Sequence, residues 1–216
     1  MIKENLAKIK NTLPEHVTLV AVSKTKPNNA LLEAYEAGQH ILGENRVQEM
    51  AGKYEELPKD IEWHMIGHVQ RNKVKYMIDF VALIHGVDSF RLLKEINKQA
   101  KKVGRTVDCL LQMHIAEEDS KYGLDRDELY DMVDSEAFSK LENVNIKGLM
   151  GMATFTDNEA QVRREFKSLK SQFDELKEKL PQLSILSMGM SGDYKIAIEE
   201  GSNMVRIGSS IFGARK

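Results

Sequence analysis

In "TLVAVSKTKP" (residues 18–27) a lysine closes an apolar run: Lys24 stands at the tip of a stretch that reads as a strand apolar on both faces. An ordinary surface lysine just past a strand end is one reading. The other follows from partial desolvation, which disfavours the ammonium form and supplies a neutral amine. A neutral amine is what a Schiff base with an aldehyde requires. Two later stretches, "GMSGD" (189–193) and "RIGSS" (206–210), each place Gly and Ser at a turn. Glycine lets backbone N–H groups approach a ligand closely, and serine adds a hydroxyl. Ser191 is also placed to cap the helix that carries Tyr194, and a helix N-terminus attracts an anion. Plain tight turns are the competing reading. Arg206 is the third feature. In "NMVRIG" alternation puts Met204 and Arg206 on one face, and Val205 and Ile207 on the other. An arginine facing inward needs a partner, because an unpaired buried charge is costly. An internal ion pair with a carboxylate competes with a ligand for that role.

An amine, an anion site and a planar cation together suit a phosphorylated aromatic aldehyde, which describes pyridoxal 5'-phosphate (PLP). A sugar-phosphate aldehyde would use only the first two. The remaining residues with chemical potential read as structural. The six histidines show no metal-ligand spacing; His64 and His68 are four apart, but a strand end and a loop intervene. Cys109, the single cysteine, lies in the apolar run "TVDCLLQMH" and reads as a buried small hydrophobe. Trp63 reads as core, and "RNKVK" (71–75) as a solvated helix face.

Those residues fall at the ends of strands in a chain that alternates strand and helix. Strands are expected at 17–23, 40–42, 61–66, 80–86, 106–115, 145–153, 183–189 and 204–208. A leading amphipathic helix carries Ile2, Leu6, Ile9 and Leu13 and stops at Pro14. Further helices are expected at 28–38, 45–56, 69–78 and 125–139. Asp88 is placed to cap a helix whose apolar stripe is Phe90, Leu93, Ile96, Ala100 and Val103. The clearest stripe is Val162, Phe166, Leu169, Phe173, Leu176 and Leu180, stopped by Pro181. Eight such units predict a parallel sheet closed into a (β/α)8 barrel, with active groups at the C-terminal ends of the strands. An open doubly wound sheet is the runner-up; it lacks a Gly-rich dinucleotide turn after strand one.

Composition agrees with one globular domain spanning 1–216. The chain is 42% hydrophobic and 30% charged, with a net charge of −2. That balance argues against broad electrostatic binding of nucleic acid. No run is long and apolar enough to span a membrane, and the charged N-terminus lacks a secretory apolar core. A cytoplasmic location is the expectation, as monomer or weak dimer.

The stretches "VAVSKTKP", "LGENRVQE", "WHMIGHVQRNK", "SKYGL", "GLMGMA", "MGMSGDYKIAI" and "GSNMVRIGSSIFGAR" are long, ordered and cover nearly the whole chain. In them the sequence resembles the YggS/PROSC family of PLP-binding proteins. The resemblance implies a single barrel like the N-terminal domain of alanine racemase (PLP fold type III), with an extra N-terminal helix. It implies covalently bound PLP and a role in vitamin B6 and amino-acid homeostasis. Lys24 would hold the PLP aldehyde; Ser191, Gly208 and Ser209 the phosphate; and Arg206 would face the pyridine nitrogen. Asn45 and Met150 would lie close to the cofactor, with His64 more loosely nearby. The sequence departs from the family at Met113-His114, where Val-Asn is expected, so no role carries over to that loop. The opposite base of a racemase comes from a further β domain, which a chain ending at Lys216 would lack; efficient racemisation is therefore not expected. PLP is the expected ligand, and PLP-dependent apo-enzymes are candidate partners. A PLP-dependent racemase or decarboxylase is the alternative, and a cofactor-free Schiff-base aldolase a third reading.

Overall fold

The structure, a computed structural model, describes residues 1–119 and 122–214. Ser120, Lys121 and Arg215, which the motifs above include, lie outside the described residues. The apolar runs form eight parallel strands that pair in chain order and close on themselves. They are β1 (Thr18–Val22), β2 (Ile41–Glu44), β3 (Glu62–Met65), β4 (Leu83–Val87), β5 (Val107–Met113), β6 (Val144–Gly151), β7 (Ile185–Met190) and β8 (Met204–Ile207). β8 closes the ring against β1, with Val20 opposite Arg206 and Ala21 opposite Ile207. The expected barrel is the observed one.

Parallel strands in such a ring are covered on both faces, so they read as apolar runs rather than alternating ones. Inward-facing Val20, Leu83, Leu110, Met150 and Met204 fill the barrel. The second and larger core lies between strands and helices. There α7 (Glu159–Lys179) buries Val162, Phe166, Leu169, Phe173 and Leu176, the stripe its 3.6 periodicity predicts. Leu180 follows it, partly buried against the same core. The leading helix α1 (Ile2–Thr12) packs against α2 (Asn28–Glu36) and α9 (Ser209–Phe212). Asn5 of α1 donates to the Ile211 carbonyl at 3.0 Å.

Three expectations about helices fail for local reasons. Residues 69–78 hold only a 3-10 turn, Arg71–Tyr76. Of their buried positions, Val74, Met77 and Ile78 fall at i, i+3 and i+4 only at the end of the segment, and Val69, five residues before Val74, is off that stripe. The segment 125–139 splits into α5 (Arg126–Val133) and α6 (Glu136–Ser139). Ser135 breaks it, accepting from the Phe138 amide and donating to the Met132 carbonyl. The helix α4 (Phe90–Lys102) is capped by Ser89, which accepts from the Leu92 amide, and not by Asp88. Asp88 instead pairs with His68 at 2.9 Å. The buried face of α4 is Leu92, Leu93, Ile96 and Ala100, while Val103 is 41% exposed.

Candidate functional site

The ends of β1, β7 and β8 and the loops after them surround a cavity of about 610 Å³. Lys24, Ser191, Arg206, Gly208 and Ser209 all line it. Sequence positions up to 185 residues apart (24 to 209) therefore meet at the C-terminal end of the barrel, the end at which barrels of this kind carry their chemistry. The volume is that of a cofactor-sized pocket.

Ser191 does not cap the short helix α8 (Tyr194–Glu199), whose N-cap position is Asp193. Its Oγ accepts from the Gly208 amide at 3.3 Å, which ties the loop after β7 to the loop after β8. Asp193 Oδ1 accepts from the Met190 amide at 2.7 Å and folds the first of these loops back on its strand. At Gly208 a Cβ would stand 3.1 Å from both Val22 Cβ and the Val22 carbonyl oxygen, so a side chain here would press on the strand that leads to Lys24. Ser209 and Ser210 open α9, and the first amides of a helix have no partner within it.

Arg206 points into the barrel, 3% exposed. Its partners are neutral: the Ser187 hydroxyl at 2.5 Å and the Gly151 carbonyl at 3.2 Å. The expected competing ion pair is thus replaced by hydrogen bonds to uncharged oxygens. Burial pulls the guanidinium down to about 10, with nearby Asp193 acting in the opposite sense, so it stays protonated at neutral pH. Ser187 Oγ also meets His85 Nδ1 at 2.9 Å, and His85 Nε2 meets His64 Nδ1 at 2.9 Å. The result is a buried polar chain across four strands: His64, His85, Ser187, Arg206. Burial lowers His64 to about 3 and His85 well below the usual imidazole range, the latter helped by the charges of His64 and Arg206. Both rings are neutral at pH 7, and each can donate from one nitrogen and accept at the other.

Lys24 stands on the corner of a tight turn. The Lys26 amide donates to the Ser23 carbonyl at 3.1 Å, and Thr25 between them has φ of +63°. Glycine is the usual residue for a left-handed position, and threonine there costs roughly 1–2 kcal/mol. A buried charged cluster holds the turn. Lys53 Nζ donates to the Ser23 carbonyl at 2.9 Å, to Glu44 at 2.6 Å and to Glu49 at 2.7 Å. Glu49 accepts from the Thr25 amide at 2.6 Å, and Glu44 from the Ser23 hydroxyl at 2.6 Å. Glu44 Oε2 is buried with no hydrogen-bond partner. Burial raises Glu44 above the usual carboxylate range, against the pull of Lys53 and Ser23. For Glu49 burial also acts upward, but Lys53 and the Thr25 amide outweigh it and hold the group low.

The other three expected residues lie outside the lining of this cavity. Asn45 follows β2 and is half-buried. His64 ends the buried chain described above. Met150 is fully buried in the inner core. Cys109 and Trp63 are fully buried, as expected. Among the described residues no group of histidine, cysteine and carboxylate side chains is arranged to hold a metal.

Across residues 1–216 the chain matches the alanine racemase N-terminal domain family. It is 41% identical to a pyridoxal phosphate homeostasis protein of Vibrio alginolyticus, over 94% of this chain and 88% of that one. A protein of the same name from Aquifex aeolicus is 42% identical, over 92% and 87%. The chain belongs to the pyridoxal phosphate homeostasis family. The solved structure of PipY from Synechococcus elongatus PCC7942, with PLP bound, is 37% identical and superposes with a TM-score of 0.91, over 99% of this chain and 100% of that one. An alanine racemase of Clostridium difficile shares the fold at 18% identity, TM-score 0.82, over 99% of this chain but 60% of the racemase. In this member of the homeostasis family, the cluster of Ser23, Glu44, Glu49 and Lys53 and the partners of Arg206 are what the motifs alone do not reveal. One signal was available: Glu49 and Lys53 stand at i, i+4 in α3 (Val47–Glu56), acidic residue first.

Proposed function

We propose that the chain binds PLP covalently through Lys24 and acts in intracellular PLP, vitamin B6 and amino-acid homeostasis, as a carrier rather than a classical enzyme. The observation that carries this reading is the convergence of an amine, two tied Gly/Ser loops and a buried arginine on one cavity of about 610 Å³. When bound, PLP supplies an aldehyde that condenses with an amine and a ring that withdraws electrons. Ser191, Gly208 and Ser209 hold the phosphate, with hydroxyls and amides as donors. Arg206 would face the ring nitrogen and, because it keeps its own proton, would donate a hydrogen bond there without protonating it, leaving the ring a weaker electron sink. That favours storage over carbanion chemistry. Asn45 and Met150 would lie close to the bound cofactor, with His64 more loosely nearby. The whole of 1–216 serves as one PLP-binding barrel domain, monomeric or weakly dimeric and cytoplasmic, with PLP-dependent apo-enzymes as recipients. No helix among the described residues is long and apolar enough to cross a membrane.

The test is the near-visible absorption of the purified protein with PLP, before and after borohydride, with peptide mass mapping and a Lys24→Ala control. A yellow protein whose reduced adduct maps to the Lys24 peptide is the expected result. A protein that stays colourless with excess PLP would sink the reading. Product formed on adding amino acids would move it from carrier to enzyme.

A further inference from the structure

We infer that Glu49 and Lys53 are positioning residues for Lys24: together they fix the corner from which its amine reaches the cavity. The inference rests on the reading that Lys24 holds the cofactor.

The geometry is specific to the two peptide units that flank Lys24. On one side the Ser23 carbonyl accepts from Lys53 Nζ at 2.9 Å; on the other the Thr25 amide donates to Glu49 Oε1 at 2.6 Å. Lys53 and Glu49 are themselves joined at 2.7 Å, so one linked pair grips the turn from both ends. The grip comes where the strand gives out. β1 ends at Val22, and the Ser23 amide makes the last backbone bond to β2, to the Gly43 carbonyl at 3.0 Å. Beyond it the turn must be held by something else.

Thr25 shows that the hold is needed. It is the only non-glycine residue with positive φ among the described residues. A β-branched residue does not choose that conformation by itself. The hydrogen bond that the Thr25 amide donates to Glu49 selects it. A glycine at 25 would adopt the turn without help but would also leave it loose. The sequence instead combines a stiff residue with an external clamp, which yields a fixed corner. Lys53 is 7% exposed, so its bond to the Ser23 carbonyl is shielded from water, while the Glu49 bond to the Thr25 amide lies nearer the surface. A bound ligand with its phosphate held by the loops after β7 and β8 presents its aldehyde at one fixed place. An amine carried on a rigid corner meets that place with no backbone left to order, so only the lysine side chain is ordered at binding.

The experiment compares four full-length proteins: wild type, Glu49→Ala, Thr25→Gly and the double variant. Each is titrated with PLP by absorption, the Lys24 peptide is mass-mapped after borohydride, and thermal unfolding is recorded alongside. Glu49→Ala is expected to weaken PLP binding about tenfold in the threonine background. In the glycine background the same substitution is expected to cost less than about threefold, because the turn no longer depends on Glu49. A purely structural role would shift unfolding equally in both backgrounds and leave no such coupling. Glu49→Gln, which keeps an acceptor oxygen, is expected to bind nearly as wild type and serves if the alanine variant does not fold. Wild type that labels at Lys24 while Glu49→Ala labels and binds equally overturns this inference alone. Wild type that does not label at Lys24 overturns the functional reading and this inference with it.

Discussion

Ser191 Oγ lies 3.3 Å from the Gly208 amide, and this bond joins two loops that belong to different βα units. Each loop alone is an unremarkable Gly/Ser turn. Joined, they form one wall of the cavity beside Lys24.

Ser191→Ala removes the tie and, on the proposed reading, a phosphate donor. PLP affinity is expected to fall about tenfold or more, the value of a hydrogen bond to a charged group. Ser191 is half-buried, so unfolding is expected to move little. Gly208→Ala brings a methyl against Val22 and is expected to weaken PLP binding as well, since Val22 precedes Ser23 and Lys24. Absorption titration with PLP measures both. Unchanged affinity in Ser191→Ala would remove that serine from the phosphate site.

Ser187→Ala tests the buried chain. It takes an acceptor from Arg206 and a partner from His85 in a place without water. The expected cost is about 1–3 kcal/mol in urea unfolding, the penalty of buried polar groups left unpaired. A variant as stable as wild type would show that Arg206 is satisfied by the Gly151 carbonyl alone.

The same chain sets a pH dependence. His64 and His85 have folded-state values far below the usual 6.5, because burial disfavours the imidazolium. Above pH 6.5 neither state takes up the proton and nothing is lost. Below it the unfolded chain binds protons that the folded one refuses. Stability is therefore full above about pH 6.5 and falls as pH drops toward about 3, by roughly 1 kcal/mol per pH unit per histidine. The wild-type curve minus that of His64→Leu isolates one histidine from the carboxylates. Parallel curves from pH 7 to 4 would contradict a neutral buried His64.

Cys109 is fully buried in β5, and burial with nearby Asp108 raises its thiol. Native protein is expected to be silent toward a thiol-specific reagent, and unfolded protein to react with one equivalent. Rapid reaction of the native protein would mean that β5 opens locally.

The barrel was legible because parallel strands buried on both faces leave continuous apolar runs, and α7 because one long stripe has no competing pattern. The 3-10 turn was not legible: charges in "RNKVK" together with Val74, Met77 and Ile78 at i, i+3 and i+4 imitate an amphipathic α-helix. For the site, strand ends led to Lys24, Ser191, Arg206, Gly208 and Ser209. Alternation in β8 put Arg206 on a face with Met204, and both do face inward. Its partners were out of reach of that logic. Ser187 and the Gly151 carbonyl depend on the stagger between β6, β7 and β8, which the structure interrupts between Ser187 and Met190. The cluster under Lys24 was hidden for a similar reason: Glu44 and Lys53 stand on a strand and a helix, where no single period relates them.

The ring closes between its earliest and its latest strand, with Val20 opposite Arg206. Lys24 leaves the ribosome among the first residues of the barrel; Arg206, Gly208 and Ser209 leave among the last. A nascent chain thus carries the amine through most of its synthesis with neither the loop after β8 nor the arginine beside it. On the proposed reading, tight capture of the cofactor would wait until β8 has docked. Occupancy by PLP would therefore report the completion of folding as well as the supply of the vitamin.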